Sequence, residues 1–160
     1  MKAVTIKQLK DELTHKSASE LKELCLHLSR FKKENKELLT YLLFESHDED
    51  AYIQSIKDQM DVQFSEINTN SFFYIRKSAR KILSLTKKFI RYSKKKETET
   101  ELLLYFCKKL RDFKPSIERS QGLQNVFDSQ VRLIKKAIEK LHEDLQYDYQ
   151  LELNDLLNNE

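Results

Sequence analysis

Two Glu-x-x-His pairs are the residues whose types and spacing could bind a transition metal: Glu12 with His15, and Glu139 with His142. A spacing of three residues places both side chains on one face of a helix, and di-iron bundles use such a pair on each of two helices. Ligands of that kind must point into the bundle. On a helical wheel, His15 and Glu139 fall about 160° and about 130° away from the apolar stripes of their helices. The sequence therefore predicts no metal site, and nothing in it indicates another cofactor.

The remaining reactive side chains form no catalytic constellation. Cys25 and His27 are two positions apart, so they point in different directions on a helix. Cys25 and Cys107 lie on apolar stripes, which predicts that both thiols are buried and reduced. His47 is followed by three acidic residues, a pattern typical of a helix start. We therefore expect no enzymatic activity and no small-molecule substrate.

The composition leaves few alternatives to a helical fold. The 160 residues include one Gly and one Pro, whereas average usage is about 7% and about 5%. Turns, hairpins and phosphate-binding loops need these residues, so β-rich folds, P-loops and dinucleotide-binding folds are excluded. Capping boxes at residues 17–20 and 98–101 mark two helix starts. The sequence predicts a single all-α domain over residues 1–160, a bundle of six or seven helices with antiparallel helical hairpins.

A weak internal repeat keeps a second architecture open. Residues Leu21, Cys25, Leu28, Phe31 and Lys32 recur 82 positions later as Leu103, Cys107, Leu110, Phe113 and Lys114. An offset of about half the chain is what a duplication would produce, so a short α-solenoid built from a duplicated helix pair is the alternative fold.

The acidic tail, residues 147–160, is expected either to fray or to pack on the domain.

Targeting signals are missing from the sequence. The first residues, MKAVTIKQLKDEL, lack the apolar core of a signal peptide. No apolar run approaches the about 20 residues that span a bilayer, and two distant cysteines give no disulfide framework. We therefore predict a cytoplasmic protein without a transmembrane segment.

The most unusual stretch, residues 75–96, contains ten Lys and Arg residues and no acid. On a wheel most of these cations fall within about 140°, opposite an apolar stripe. One explanation is contact with a polyanion, and Tyr74 and Tyr92 at the edge of the cationic arc could then stack on bases. The candidate polyanion-binding residues are Lys87, Lys88, Arg91, Lys94, Lys95 and Lys96.

The other explanation is neutralisation within the chain. Residues 45–66 contain seven acids against one Lys, and the short turn at residues 68–70 predicts an antiparallel hairpin between the acidic and the basic helix. The last cations of the basic helix lack acidic neighbours in this hairpin, and the acidic tail from residue 143 could cover them. The predicted pairs are Asp61 with Lys77, Asp58 with Arg80, and Asp50 with Lys88.

Two functional hypotheses follow. The leading one is a non-enzymatic helical interaction module that binds another protein or itself, since such binding requires a surface rather than a motif. The alternative is sequence-independent binding to the phosphate backbone of nucleic acid through the basic helix, residues 75–96.

Overall fold

The computed structural model describes residues 1–158, which form α-helices and short connections without a β-strand. The predicted all-α class is confirmed, and the described residues form eight α-helices where six or seven were expected. A π-helical turn, Tyr41–Glu45, and a 3₁₀ turn, Ile117–Arg119, complete the regular structure. The α-helices are α1 Ile6–Leu13, α2 Ala18–Phe31, α3 Lys33–Thr40, α4 Glu49–Ser65, α5 Phe72–Ser93, α6 Lys96–Asp112, α7 Gln121–Ile138 and α8 Glu143–Asn158.

The chain divides into two compact units, Met1–Phe44 and Glu45–Glu160, which we call the N-terminal and the C-terminal unit. The N-terminal unit contains α1, α2 and α3, and none of these helices carries a buried residue. Helix α2 begins with the predicted capping box: the backbone N–H of Ser17 donates to Glu20 Oε2 at 2.8 Å, and the N–H of Glu20 donates to Ser17 Oγ at 3.2 Å. Helices α2 and α3 pack against each other.

Helix α6 is the centre of the C-terminal unit. It packs against α4, α5, α7 and α8. A helix whose buried residues cover most of its circumference must be packed by neighbours on several sides, and α6 is buried everywhere except along the arc of its charged residues. Its fully buried side chains are Thr98, Thr100, Leu102, Leu103, Phe106, Cys107 and Leu110.

The acidic tail is helical over its described part. Residues 143–158 form α8, which packs against α6 and α7, and its residues Tyr149, Leu153 and Leu156 are buried. The last two residues of the predicted tail, 159–160, lie outside the described residues.

The two copies of the internal repeat have different environments. Leu103, Cys107 and Leu110 lie in the core of the C-terminal unit, whereas Cys25 and Leu28 are exposed in the N-terminal unit. Within the C-terminal unit, helices α4, α5, α7 and α8 therefore form a bundle around α6.

The predicted hairpin between the acidic and the basic helix is confirmed. Tyr52 Oη near the start of α4 donates to the carbonyl oxygen of Phe89 near the end of α5 at 3.0 Å, so the two helices run antiparallel. Helix α5 ends at Ser93, because Lys94 adopts a left-handed conformation with φ of 59°.

Over residues 1–158, no helix has both the length and the apolar character that crossing a bilayer requires.

Candidate functional site

The acidic side of α4 faces α6. Lys57 Nζ lies 2.6 Å from Glu101 Oε1. Asp61 accepts a hydrogen bond of 2.8 Å from Tyr105 Oη and lies 3.0 Å from Lys109 Nζ. Helices α4 and α6 are thus joined by ion pairs and hydrogen bonds.

The three ion pairs predicted between α4 and α5 are therefore wrong. Asp61 contacts α6 rather than Lys77, and Asp58 accepts a hydrogen bond from Gln54 on its own helix at 2.7 Å. Within residues 1–158, Asp58 and Asp50 form no ion pair. A third helix, α6, packs beside the hairpin and binds Asp61, while Asp58 is bonded within α4.

The contacts of Asp61 change two pKa values. Burial raises the pKa of the Asp61 carboxyl, but hydrogen bonds from Tyr105 and Lys109 outweigh it and hold that pKa below its usual range. Burial, together with the Asp61 carboxylate, raises the pKa of Tyr105 to about 12. Both shifts indicate that Asp61 is ionised at neutral pH and that its carboxylate is bound to Tyr105 and Lys109 of α6.

The outer side of α5 carries cations that the acids of α4 do not neutralise. Five exposed cations on this side form no ion pair with the described residues of the chain. Those within the helix extend over fourteen positions, or about 21 Å. We call this set the basic face: Lys77, Arg80, Lys81, Arg91 and Lys94.

The structure distributes the six candidate polyanion-binding residues over different environments. Arg91 and Lys94 belong to the basic face. Lys87 is half-buried, and burial lowers the pKa of its ammonium group, opposed by the charge of Glu99. Lys88 is also half-buried, with its Nζ 5.3 Å from the ring centroid of Phe89.

The last two candidates are held by carboxylates. Lys95 Nζ lies 3.0 Å from Glu49 Oε2, and Lys96 pairs with Glu99. The hairpin argument placed Lys77 and Arg80 opposite acids and so kept them out of the candidate set, although their positions on the wheel were already evident.

Glu49 joins three helices at one corner. Its carboxylate lies at the start of α4 and accepts hydrogen bonds from Ser93 at the end of α5 and from Thr98 Oγ1 in α6, the latter at 2.6 Å. Thr98 is fully buried. The capping role expected of Thr98 is wrong, because α6 begins at Lys96 and the Thr98 hydroxyl bonds to Glu49 instead.

An aromatic residue lies within the basic face. Phe73 is 60% exposed, and its ring meets that of Tyr74 edge-on with 5.6 Å between centroids. On the wheel, Phe73 falls in the middle of the cationic arc. Of the two tyrosines considered for base stacking, Tyr74 is exposed and Tyr92 is buried beside Phe89. Sequence reasoning missed Phe73, although the same wheel would have shown it.

The N-terminal unit exposes its apolar stripe. Leu28 and Phe31 of α2 are 56% and 80% exposed, and Cys25 on the same stripe is exposed as well. The prediction that Cys25 is buried is wrong, because no part of its own unit covers α2 on that side. The prediction for Cys107 is confirmed, and burial raises the pKa of its thiol to about 12.

The two Glu-x-x-His pairs lie on the surface. All four side chains are exposed. Glu12 pairs with Lys16 at 3.4 Å, and His142 Nδ1 lies 3.7 Å from Asp144. The described residues bring no three His, Cys, Asp or Glu side chains together in a metal-binding arrangement.

A groove of about 640 Å³ between α4, α6 and α8 is lined by charged residues. Several of them bond to one another or to backbone: Lys57 pairs with Glu101, Tyr149 Oη donates to Glu101 at 3.3 Å, and Arg111 donates to the Leu156 carbonyl at 2.7 Å. The groove is thus a polar contact region between helices.

Searches against protein-family models, curated proteins and solved structures find no match for this chain.

Proposed function

We propose that the protein is a non-enzymatic helical interaction module that associates with a second copy of itself through the N-terminal unit. The observation that carries this proposal is the set of exposed apolar side chains in that unit: Val4, Ile6, Leu9, Leu13, Leu24, Leu28, Phe31, Leu42, Leu43 and Phe44. Both cysteines are free, which supports the cytoplasmic location expected from the sequence.

The N-terminal helices are short for helices that bury so little apolar surface. Helices α1, α2 and α3 have 8, 14 and 8 residues, and isolated helices shorter than about 12–15 residues are marginal in water. Packing of an amphipathic face normally supplies the missing stability, yet α1, α2 and α3 carry no buried residue. This favours association as the source of that stability.

The exposed apolar side chains are sufficient in total area for a dimer contact. Side chains of this size, exposed to these fractions, offer on the order of 100 Å² each, so the ten together offer on the order of 1,000 Å². A standard interface buries about 800 Å² on each partner. In a two-fold dimer the same apolar stripe of a helix packs on its own copy, so the contact needs no second, complementary surface.

We expect Phe31→Glu to convert a self-associating chain into a monomer, because a carboxylate would be buried in the apolar contact. Sedimentation velocity over a wide range of concentrations measures the change. The matched control is Val62→Glu, which places the same charge at a 56% exposed apolar position of α4 and should leave the association intact.

Cys25 reports on the same contact. Because it lies on the stripe of α2, its alkylation should slow as the wild-type concentration rises and should stay fast in Phe31→Glu. A wild-type chain that sediments as a monomer throughout, with Cys25 labelled equally fast at every concentration, would show that self-association is the wrong form of the proposal.

A second candidate function is binding to the phosphate backbone of nucleic acid through α5. The observation that favours it is the basic face, whose cations form no ion pair with the described residues. Contacts of Lys and Arg with phosphates carry no sequence information. The binding would therefore be insensitive to sequence and strongly dependent on salt.

We expect the double variant Arg80→Glu, Arg91→Glu to weaken binding to duplex DNA and to lower the slope of log K against log salt by up to about two, at about 0.9 per lost contact. The measurement is a salt titration by fluorescence anisotropy. Arg132→Glu with Lys136→Glu on α7 changes the net charge equally, at exposed positions outside the basic face, and should have little effect.

The stability of the double variant separates this proposal from the hairpin explanation. Since neither Arg80 nor Arg91 forms an ion pair with the described residues, the free energy of unfolding should change by no more than about 0.5 kcal/mol. If the wild-type chain binds no DNA or RNA at about 50 mM salt, where such binding is strong, the second candidate is wrong.

A further inference from the structure

The basic face has an aromatic residue at its N-terminal end. Phe73 precedes Lys77 by about one turn and Arg80 by about two turns, and all three lie in the same arc of α5. The Phe73 ring is 60% exposed and meets the exposed Tyr74 ring edge-on. A single exposed apolar residue needs no explanation, but here two adjacent exposed rings adjoin a row of unpaired cations.

Aromatic rings and cations together distinguish single strands from duplexes. A duplex hides the faces of its bases in its own stack, whereas an unpaired base offers a face to any ring. Stacking of a base on an aromatic side chain contributes affinity whatever the base, and cations along the backbone supply the rest. We propose that α5 binds single-stranded nucleic acid, with a base on Phe73 and phosphates on the basic face. This inference rests on the second candidate function.

The dimensions of the basic face limit the strand it can bind. The distance of about 21 Å along α5 corresponds to at most about six phosphates, reached when the strand keeps the rise of about 3.4 Å per nucleotide that it has in a duplex. This lies within the ~4–16 nucleotides that single-strand modules of comparable size occupy. Helix α5 carries no acidic residue, so no charge of its own repels the strand.

Fluorescence anisotropy with labelled oligo(dT) and oligo(U), and with a duplex of equal phosphate number, tests the inference. We expect the single strands to bind more tightly than the duplex. Phe73→Ala should weaken single-strand binding by about five- to 150-fold, equivalent to about 1–3 kcal/mol for one stacked base. It should leave both the salt slope and the duplex affinity unchanged, because no phosphate contact is lost.

Two further variants define the chemistry. Phe73→Trp keeps an aromatic face and should retain the wild-type affinity for single strands, whereas Phe73→Leu keeps only apolar character and should weaken single-strand binding as Phe73→Ala does. The matched control is Tyr147→Ala, which removes an aromatic side chain that is 67% exposed on α8 and should have no effect. Circular dichroism confirms that each variant keeps its helical content.

The outcomes separate the inference from the function on which it rests. If single strands and duplex bind equally and Phe73→Ala changes neither, the single-strand inference is wrong while backbone binding through α5 stands. If no oligonucleotide binds at low salt, both are wrong. A Phe73→Ala variant that lowers the salt slope would also contradict stacking, since stacking adds no ionic contact.

Discussion

Phe106→Ala is expected to lower the free energy of unfolding of the C-terminal unit by about 3–5 kcal/mol. The Phe106 side chain is fully buried on the central helix α6, and its ring lies 5.7 Å from that of Phe64 on α4. Phe64 in turn lies 6.1 Å from Phe113. Truncation would leave a cavity among rigidly packed rings, which relax only in part. Domains of this kind are stable by about 5–15 kcal/mol, so one substitution could remove much of the total.

Cys107 provides the measurement. Its thiol is buried in α6 and burial raises its pKa to about 12, so we expect it to react only when the C-terminal unit opens. The denaturant dependence of Cys107 labelling, in a Cys25→Ser background, therefore reports the unfolding of this unit. Phe73→Ala, at an exposed Phe of the same unit, should shift the transition by no more than about 0.5 kcal/mol. Equal losses in both variants would contradict the central position of α6.

The second large effect is expected at Glu49. Glu49→Ala should cost the C-terminal unit about 2–3 kcal/mol, because hydrogen bonds to a charged group contribute about 1.5–3 kcal/mol and the buried Thr98 hydroxyl would lose its acceptor. The ion pair with the exposed Lys95 adds little. The same labelling of Cys107 measures the loss.

Two variants identify the part that the charge contributes. Glu49→Gln keeps an acceptor for Thr98 and should lose less than Glu49→Ala. Asp50→Ala removes the neighbouring acid of the first turn, which has no ion pair within residues 1–158, and should cost only the helix-dipole contribution of about 0.3–1 kcal/mol. If Asp50→Ala and Glu49→Ala lower the free energy of unfolding equally, the hydrogen bonds of Glu49 do not stabilise the contact between α4, α5 and α6.

Local features of the sequence predicted the helices and the hairpin well. The capping box at Ser17 and the short turn before α5 each involve residues that are close in sequence. The near absence of Gly and Pro is a property of the composition and needs no knowledge of the packing. The break between α7 and α8 was harder to predict. There, Gln146 Nε2 donates to the carbonyl oxygens of Glu139 and Leu141 at 3.3 and 2.7 Å. A side chain beyond the helix end thus satisfies free carbonyls, and no Gly or Pro marks the position.

The candidate site was harder to predict, because it depends on which helix covers which face. A wheel gives the direction of Asp61 but not its neighbour, and the residue that pairs with it, Lys109, is 48 positions away. The stripes of Cys25 and Cys107 read alike in the sequence, yet four helices surround one of them and the other is exposed. Charge and periodicity therefore located the basic face, while its availability followed only from the packing of α6.

The division into two units has a consequence for the energetics of the whole chain. Regions with few buried apolar contacts open locally at little cost in free energy, whereas amide protons of a central helix exchange only when the entire unit unfolds. We therefore expect the two units to unfold in separate steps, so that a two-state analysis of the melting of the chain would average unlike processes. If association covers α1–α3, mass action links their order to protein concentration, and the helical content of the first forty residues becomes a measure of binding.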